Sequence, residues 1–229
     1  MPAVEDPSQI IPAIQWPWPQ IWPAGERALR LGVMASGKGT NFEALVEACR
    51  FGPLQAEVVQ LAVNNPGCGA EARADRLSVP CACLDHRLHP SRESLERELI
   101  ALFHDAKVDL IVLAGWMRIV TPTLINAFPQ RLLNIHPSLL PSFRGLNAVD
   151  QALSSGVKIS GCTAHLVAEE VDAGPILAQA AVPVLDDDDV ISLQQRIQVQ
   201  EHRILPLAVA LAAQRLGQLQ GDPLSPPAS

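Results

Sequence analysis

Three polar side chains in two short segments could together catalyse acyl transfer. Asn134 and His136 follow the largely apolar run 131–133, which predicts the end of a buried strand. Side chains two residues apart in a strand point to the same face, so we expect the amide and the imidazole to lie side by side. Pro137 has no N–H to continue a ladder and should end the strand. The carboxylate of Asp172 is the third group.

The expected chemistry follows from these three groups. A carboxylate beside an imidazole favours the protonated ring, so His136 is predicted to act as a general acid with Asp172 as its partner. The amide of Asn134 can donate to an oxyanion forming on a carbonyl. Because the sequence places no obvious Ser or Cys nucleophile beside this histidine, we expect an incoming amine to attack an acyl carbon directly.

Each of the three residues also has a purely structural explanation. Asn134 could cap a turn, His136 could be a hydrogen-bonded histidine at the rim of the sheet, and Asp172 could form an Asx turn. Their joint arrangement favours catalysis.

A glycine-rich loop, residues 35–41, directly follows the first predicted strand. Its glycines allow a sharp turn, and the free N–H groups of the next helix can bind a phosphate. Phe42 stands where a dinucleotide fingerprint has its third glycine, and the second strand ends in Asn64 and Asn65 instead of an acidic residue. The loop therefore favours a phosphomonoester, with an ordinary glycine-rich turn as the alternative.

The hydrophobic pattern around these residues predicts an α/β fold, because strand-like and helix-like segments alternate. Predicted strands cover 29–34, 58–63, 80–84, 108–113 and 132–135, and predicted helices cover 40–49, 69–77 and 91–106. Two β segments (162–167 and 176–184) and a long helix from 190 to about 215, bent at Pro206, complete the chain. We expect a Rossmann-like open, mostly parallel sheet flanked by helices, with a C-terminal β extension and a long closing helix. The usual active site in such a sheet lies beyond the carboxyl ends of the strands.

Composition predicts one main domain. The chain has 229 residues, of which 48% are hydrophobic, enough for a single large core. We expect a catalytic domain over 29–216, a Pro- and Trp-rich extension over 1–28 and a flexible tail over 217–229. The extension either packs on its own domain or stays mobile, with a partner-binding motif as the alternative.

Charge and cysteine content restrict the partners. The formal net charge of −7 leaves no basic surface for nucleic acid or an anionic membrane, and no apolar run approaches a membrane span. The five cysteines lack metal-binding spacing, so we interpret them as reduced core cysteines of a cytoplasmic protein, and we expect no metal.

Five motifs in this chain resemble those of the phosphoribosylglycinamide formyltransferase family in both order and spacing. They are residues 36–41, 113–120, 133–141, 172–175 and 198–202, and the resemblance runs from about Leu29 to Leu216. It implies transfer of a formyl group from 10-formyltetrahydrofolate to the amine of glycinamide ribonucleotide, in purine synthesis and without a metal.

The resemblance also implies roles for individual residues. His136 would donate the proton, Asn134 would hold the oxyanion and contact the folate, and Asp172 would support the histidine. The remaining matched positions are the substrate-phosphate residues Gly39, Thr40 and Asn41, the ribose-facing Glu201, the pterin-contacting backbone of Met117, Arg118, Ile119 and Val120, and the folate-contacting Arg92. Five histidines have no matched role and are interpreted as structural or exposed: His86, His89, His104, His165 and His202.

One loop departs from the family pattern, and three other functions compete. The family commonly has a histidine after Gly-Leu, where this chain has Asn147. The competing functions are those of methionyl-tRNA formyltransferase, which needs a basic surface for tRNA, formyltetrahydrofolate deformylase, which uses water, and a non-catalytic folate- or nucleotide-binding module. A small phosphorylated acceptor explains the glycine-rich loop best. The assembly is expected to be a monomer or a homodimer.

Overall fold

The predicted α/β sheet is present in a computed structural model that describes residues 27–52 and 54–219. Its strands are β1 (Leu29–Ala35), β2 (Ala56–Val63), β3 (Cys81–Cys83), β4 (Leu110–Leu113), β5 (Leu132–His136), β6 (Ile159–Leu166) and β7 (Ile176–Pro183). Its helices are α1 (Thr40–Phe51), α2 (Gly69–Arg76), α3 (Arg92–Asp105), α4 (Pro122–Ala127), α5 (Ala148–Ser154) and α6 (Val190–Leu219).

The sheet order is β3-β2-β1-β4-β5-β6-β7 in the described part of the chain. The first five strands in this order pair in parallel, β6 pairs antiparallel with β5, and β7 pairs antiparallel with β6. This arrangement confirms the predicted mostly parallel sheet with its C-terminal β extension. It also places the loops after β1, β4 and β5 at one edge of the sheet.

The two faces of the sheet bury different sets of helices. Along β1, Leu31 and Val33 belong to the core layer that holds α1, α2 and α6, whereas Met34 belongs to the layer that holds α3 and α4. Alternate side chains of a strand point to opposite faces, so a strand buried on both sides is apolar at every position. This explains the continuous apolar character of Leu31 to Ala35.

The helices match the predictions except at three places. The short helices α4 and α5 had no predicted counterpart. The closing helix α6 continues through Pro206 to Leu219, a few residues beyond the predicted end near 215, so the first residues assigned to the tail are helical. Residues 1–26 and 220–229 lie outside the described residues, and so do most of the predicted extension and tail.

The prediction of core cysteines is wrong for two of the five. Cys81 and Cys83 are exposed because β3 is a three-residue edge strand. Cys162 is buried, and Cys49 and Cys68 are half-buried. All five thiols are free, and burial of the Cys49 thiol raises its pKa to about 12. Over the described ranges, none of the helices is long and apolar enough to cross a bilayer.

Candidate active site

Asn134 and His136 lie at the carboxyl end of β5, and the neighbouring strand supplies further polar groups. Antiparallel pairing sets His165 of β6 opposite Asn134 and Thr163 opposite His136. Directly opposed residues in a sheet share a face, so both pairs point into the same space. Asn134 and His136 were predicted to point to the same face of the strand, and both side chains do approach the same carboxylate.

That carboxylate belongs to Asp172, in the turn between β6 and β7. Asp172 has a left-handed backbone (φ 51°), a conformation that Asp adopts more readily than most residues. The turn is closed by Gly174, where an added Cβ would lie 1.8 Å from the carbonyl oxygen of Leu166. Only glycine fits this close approach, which explains the glycine two residues after Asp172.

Asp172 is the hub of the candidate site. Its Oδ2 lies 3.4 Å from His136 Nδ1 and accepts a hydrogen bond from the Gly145 amide at 2.8 Å. Its Oδ1 lies 3.4 Å from Asn134 Nδ2 and 3.5 Å from His165 Nε2. Burial alone raises the pKa of Asp172, but the His165 and Gly145 hydrogen bonds and the two imidazoles outweigh it. The net pKa is below its usual value, so Asp172 is anionic at neutral pH.

Both ring nitrogens of His136 face an acceptor. Nδ1 points to Asp172, and Nε2 donates to the Phe143 carbonyl at 2.8 Å. An imidazolium satisfies both acceptors, because it carries a proton on each nitrogen. The arrangement therefore suits a ring that holds and releases a proton. A substrate atom that receives this proton would replace the Phe143 carbonyl.

The amide of Asn134 is engaged in the same cluster. Its Nδ2 lies 3.1 Å from His165 Nε2 and donates to Asp172 Oδ1 at 3.4 Å. An amide nitrogen has two hydrogens, and this one faces two neighbours of the cluster. An oxyanion would most readily replace the longer contact, the one to Asp172.

His165 is the residue of the site that sequence analysis missed. It was interpreted as structural or exposed, yet its side chain is buried against Asn134 and Asp172. Its Nδ1 donates to the Leu166 carbonyl at 2.9 Å, and its Nε2 lies 3.1 Å from Asn134 Nδ2 and 3.5 Å from Asp172 Oδ1. No local motif marks His165, because its role depends on the register between β5 and β6. We call Asn134, His136, His165 and Asp172 the catalytic cluster, after the role predicted for the first, second and fourth of them.

The loop after β5 is held by hydrogen bonds to β6 and within the loop itself. Thr163 Oγ1 donates to the Ser138 carbonyl at 2.7 Å and accepts from the Leu140 amide at 3.0 Å. Ser138 Oγ donates to the Ser142 carbonyl at 2.6 Å. Asn147, the departure from the family pattern, has φ 56° at the start of α5, and asparagine tolerates this left-handed conformation.

Residues 36–41, which we call the phosphate loop after their predicted role, connect β1 to α1 at the same edge of the sheet. Gly39 has φ 76°, and a Cβ there would lie 2.7 Å from Ala70 Cα, so a larger residue would clash. Arg73 Nε donates to the Lys38 carbonyl at 2.8 Å and helps to hold the turn. No side chain caps α1, so the amides of its first turn have no intrahelical acceptor. Such an end can bind an anion.

Side chains of α6 contact the first residues of α1. Thr40 Oγ1 accepts from Gln198 Nε2 at 2.8 Å, and Asn41 Nδ2 donates to Glu201 Oε2 at 2.9 Å. Glu201 is 4% exposed, and this burial raises the pKa of its carboxyl, while the Asn41 hydrogen bond lowers it less. The structure thus joins two of the predicted substrate residues, Asn41 and Glu201, which are 160 positions apart, and it joins Thr40 to the same helix through Gln198.

The loop between β4 and α4, residues 114–121, is called the donor loop because it carries the four predicted pterin contacts. Met117 and Ile119 are 65% and 57% exposed. The Met117 amide donates to Ser36 Oγ at 2.9 Å, which ties this loop to the phosphate loop. Arg92 is exposed in the first turn of α3, and its side chain makes no hydrogen bond or salt bridge within the described part of the chain.

Residues 27–52 and 54–219 contain no evident set of metal ligands. No group of three or more His, Cys, Asp or Glu side chains is placed there to hold an ion.

Comparisons with known proteins identify the family of this chain. Residues 29–209 match the formyl transferase family model. The chain is 44% identical over 184 residues to phosphoribosylglycinamide formyltransferase of Mycobacterium tuberculosis. These residues cover 80% of this chain and 85% of the relative. It is also similar to glycinamide ribonucleotide transformylase 1 of Symbiobacterium toebii, with a TM-score of 0.81, 44% identity and coverage of 83% and 90%.

A longer relative shows how the domain occurs elsewhere. The human trifunctional purine biosynthetic protein adenosine-3 is 38% identical over 194 residues, which cover 85% of this chain but 19% of that protein. The chain thus spans about a fifth of that relative's length. On these matches the chain belongs to the formyl transferase family, together with the phosphoribosylglycinamide formyltransferases.

Proposed function

We propose that this chain transfers the formyl group of 10-formyltetrahydrofolate to the amine of glycinamide ribonucleotide, giving formylglycinamide ribonucleotide for purine synthesis. Family membership implies a folate-derived formyl donor and small-molecule substrates. The identity of the acceptor rests on the arrangement of two sites. The phosphate loop follows β1 and the catalytic cluster follows β5.

The spacing of these two sites supports the proposed acceptor. Only β4 separates β1 from β5, so the two strand ends are two spacings, or about 10 Å, apart. Glycinamide ribonucleotide carries a phosphate at one end of its ribose and an amine at the other. With its phosphate on the amides of residues 39–41, its ribose would pass Glu201 and its amine would reach His136. A tRNA or a water molecule would leave the phosphate loop unexplained.

The reaction proceeds by direct transfer. The substrate amine attacks the formyl carbon, a C–N bond forms, and the carbonyl oxygen becomes an oxyanion held by Asn134 and protonated His136. The bond from the formyl carbon to folate N10 then breaks as the carbonyl reforms. The attacking nitrogen loses one proton and N10 gains one, with His136 as the carrier and anionic Asp172 stabilising the imidazolium.

The folate is proposed to lie along the donor loop. The backbone groups of Met117 to Val120 would bind the pterin, and the two exposed apolar side chains of this loop would cover it. Arg92 would contact the acidic part of the folate. The loop lies between the phosphate loop and the catalytic cluster in sheet order, where a donor must lie to meet the acceptor.

The test is the release of tetrahydrofolate from 10-formyltetrahydrofolate by the purified chain, with and without glycinamide ribonucleotide. Turnover that depends on the acceptor is the expected result. Equal turnover without the acceptor would indicate hydrolysis, and absence of turnover in both reactions would contradict catalysis of this transfer. The domain limits 29–216, the monomer or homodimer and the cytoplasmic location stay predictions.

A further inference from the structure

Glu96 is a buried carboxylate that neither the phosphate loop nor the catalytic cluster explains. It lies in the second turn of α3 and is 4% exposed. Its Oε1 accepts from the Thr121 amide at 2.7 Å, and its Oε2 accepts from the Thr121 hydroxyl and from the Leu124 amide at 3.2 Å. Burying a carboxylate is unfavourable unless it is hydrogen-bonded, and here three donors converge on it.

These contacts hold the last residue of the donor loop. Thr121 is also the residue at the start of α4, where its Oγ1 accepts from the Thr123 amide at 3.2 Å. The Thr121 hydroxyl donates its hydrogen to Glu96, so an oxygen lone pair of Thr121 faces the Thr123 amide. In a Glu96→Gln variant, the side-chain NH2 would replace one carboxylate oxygen and would face a hydrogen-bond donor. One of the three hydrogen bonds to residue 96 would therefore be lost.

The opposite part of the donor loop has a second anchor. Ser36 accepts from the Met117 amide, and its own amide donates to the Gly115 carbonyl at 3.1 Å. Residues 118–120 therefore lie between two fixed points, Ser36 on one side and Glu96 on the other. Such a loop keeps its backbone groups in place before a ligand binds, and preorganisation reduces the cost of binding.

Glu96 also joins two parts of the chain that we assign to the folate. It follows Arg92 by four residues in α3, and residues at i and i+4 share a helix face. The helix that begins with Arg92 is thus connected directly to the donor loop.

We infer that Glu96 is a positioning residue of the folate site, which holds the donor loop against α3 without touching the substrate. This inference rests on the proposed function, because it assumes that the donor loop binds the folate. It assigns Glu96 to binding of the donor and not of the phosphorylated acceptor.

The test compares Glu96→Gln with Glu98→Gln, which makes the same charge change on an exposed side chain of the same helix. For each variant, KM is measured for 10-formyltetrahydrofolate and for glycinamide ribonucleotide, and the Kd of tetrahydrofolate is measured by calorimetry. Loss of a hydrogen bond to a charged group is expected to raise the donor KM and the folate Kd in Glu96→Gln about tenfold. The acceptor KM should stay near the wild-type value, and Glu98→Gln should behave as the wild type.

Two outcomes would overturn the inference: unchanged folate binding in Glu96→Gln, or an equal loss for donor and acceptor, which would indicate a general structural role. If Glu96→Gln does not fold, Thr121→Val removes the hydroxyl donor and keeps both amide contacts. It should still weaken folate binding, and unchanged binding would also overturn the inference. A wild-type chain that binds tetrahydrofolate but does not formylate glycinamide ribonucleotide would contradict the proposed function alone.

Discussion

The phosphate loop and the catalytic cluster lie at the same edge of one sheet but are built in opposite ways. The phosphate loop is a continuous stretch, residues 36–41, and the groups it offers an anion are chiefly backbone amides. The catalytic cluster combines side chains from β5, from β6 and from the turn after β6. One site is encoded locally and the other is assembled by strand pairing.

The two sites should therefore respond differently to substitution. Replacing a side chain leaves the backbone amides in place, so single substitutions in the phosphate loop should mainly alter the affinity for the acceptor. The catalytic cluster has one anionic hub that contacts three other side chains, so a single change there disturbs the whole group. Five substitutions test this contrast, beginning with the largest expected effect.

His136→Ala should lower kcat by about 10²–10⁴-fold, because it removes the group proposed to carry the proton. The measurement is steady-state turnover at saturating donor and acceptor. His104→Ala, a change at an exposed histidine of α3, is the matched control and should retain wild-type turnover. A His136→Ala variant with near wild-type kcat would remove this residue from the mechanism.

Asp172→Asn should lower kcat by roughly 10²-fold or more, because the imidazolium of His136 loses its anionic partner. The pKa of Asp172 is lowered in the folded chain, so its carboxylate stabilises the fold above about pH 4 and this contribution is lost as pH falls further. Thermal unfolding of both proteins from about pH 7 to pH 3 measures this difference. The difference in Tm between the wild type and Asp172→Asn should narrow at acid pH. A constant difference would contradict the lowered pKa of Asp172.

Thr40→Ala should raise the KM for glycinamide ribonucleotide up to about tenfold, the loss of one hydrogen bond, while kcat changes little. The backbone amides of residues 39–41 would stay in place. The control is Ser94→Ala, which removes another side-chain hydroxyl from the first turn of a helix, α3. A fall in kcat without a change in KM would show that the phosphate loop takes part in the chemical step.

Glu201→Gln should weaken acceptor binding modestly and change how stability depends on pH. The pKa of the buried Glu201 carboxyl is raised, so the protonated form stabilises the fold and this contribution is lost as pH rises through the folded pKa. The neutral amide can still accept from Asn41. Unfolding of the variant by urea should therefore depend less on pH above about pH 4.3, the ordinary value for Glu, and an identical dependence would contradict the raised pKa.

Arg144→Ala should have the smallest effect, below about 1 kcal/mol in the free energy of unfolding. Arg144 pairs with Glu170 at 2.6 Å on the surface, whereas the neighbouring Gly145 amide binds Asp172 directly. Turnover should stay within about twofold of wild type, since a solvated pair is worth little. A large loss of turnover would mean that the surface pair, and not the Gly145 contact, holds this loop against the catalytic cluster.

Much of the fold was predictable because the hydrophobic period reports burial directly. The five parallel strands and the long helices have clear patterns, and the structure confirms them. The two missed helices, Pro122–Ala127 and Ala148–Ser154, are six and seven residues long. Two turns of helix are too short for a reliable 3.6-residue period, and the start of α4 is also held by a tertiary contact, the Glu96 carboxylate.

The candidate site was predictable where its residues are contiguous or carry a strong motif. Asn134 and His136 were identified from strand periodicity, and the phosphate loop from its glycines. His165 was missed because nothing near it in the chain distinguishes it from any other strand histidine. Its place in the catalytic cluster depends on a register shared by two strands some 30 positions apart.

The sequence by itself determined the α/β order of elements, the glycine turn before α1, the shared direction of Asn134 and His136, and the motifs of the family. These properties depend on neighbouring residues and on the fixed periods of helices and strands. Only the tertiary structure decided that His165 joins the catalytic cluster, that Asn41 binds Glu201, and that Glu96 holds the donor loop. Those contacts join residues far apart in the chain, and their geometry is set by strand register and helix packing, which no local pattern specifies.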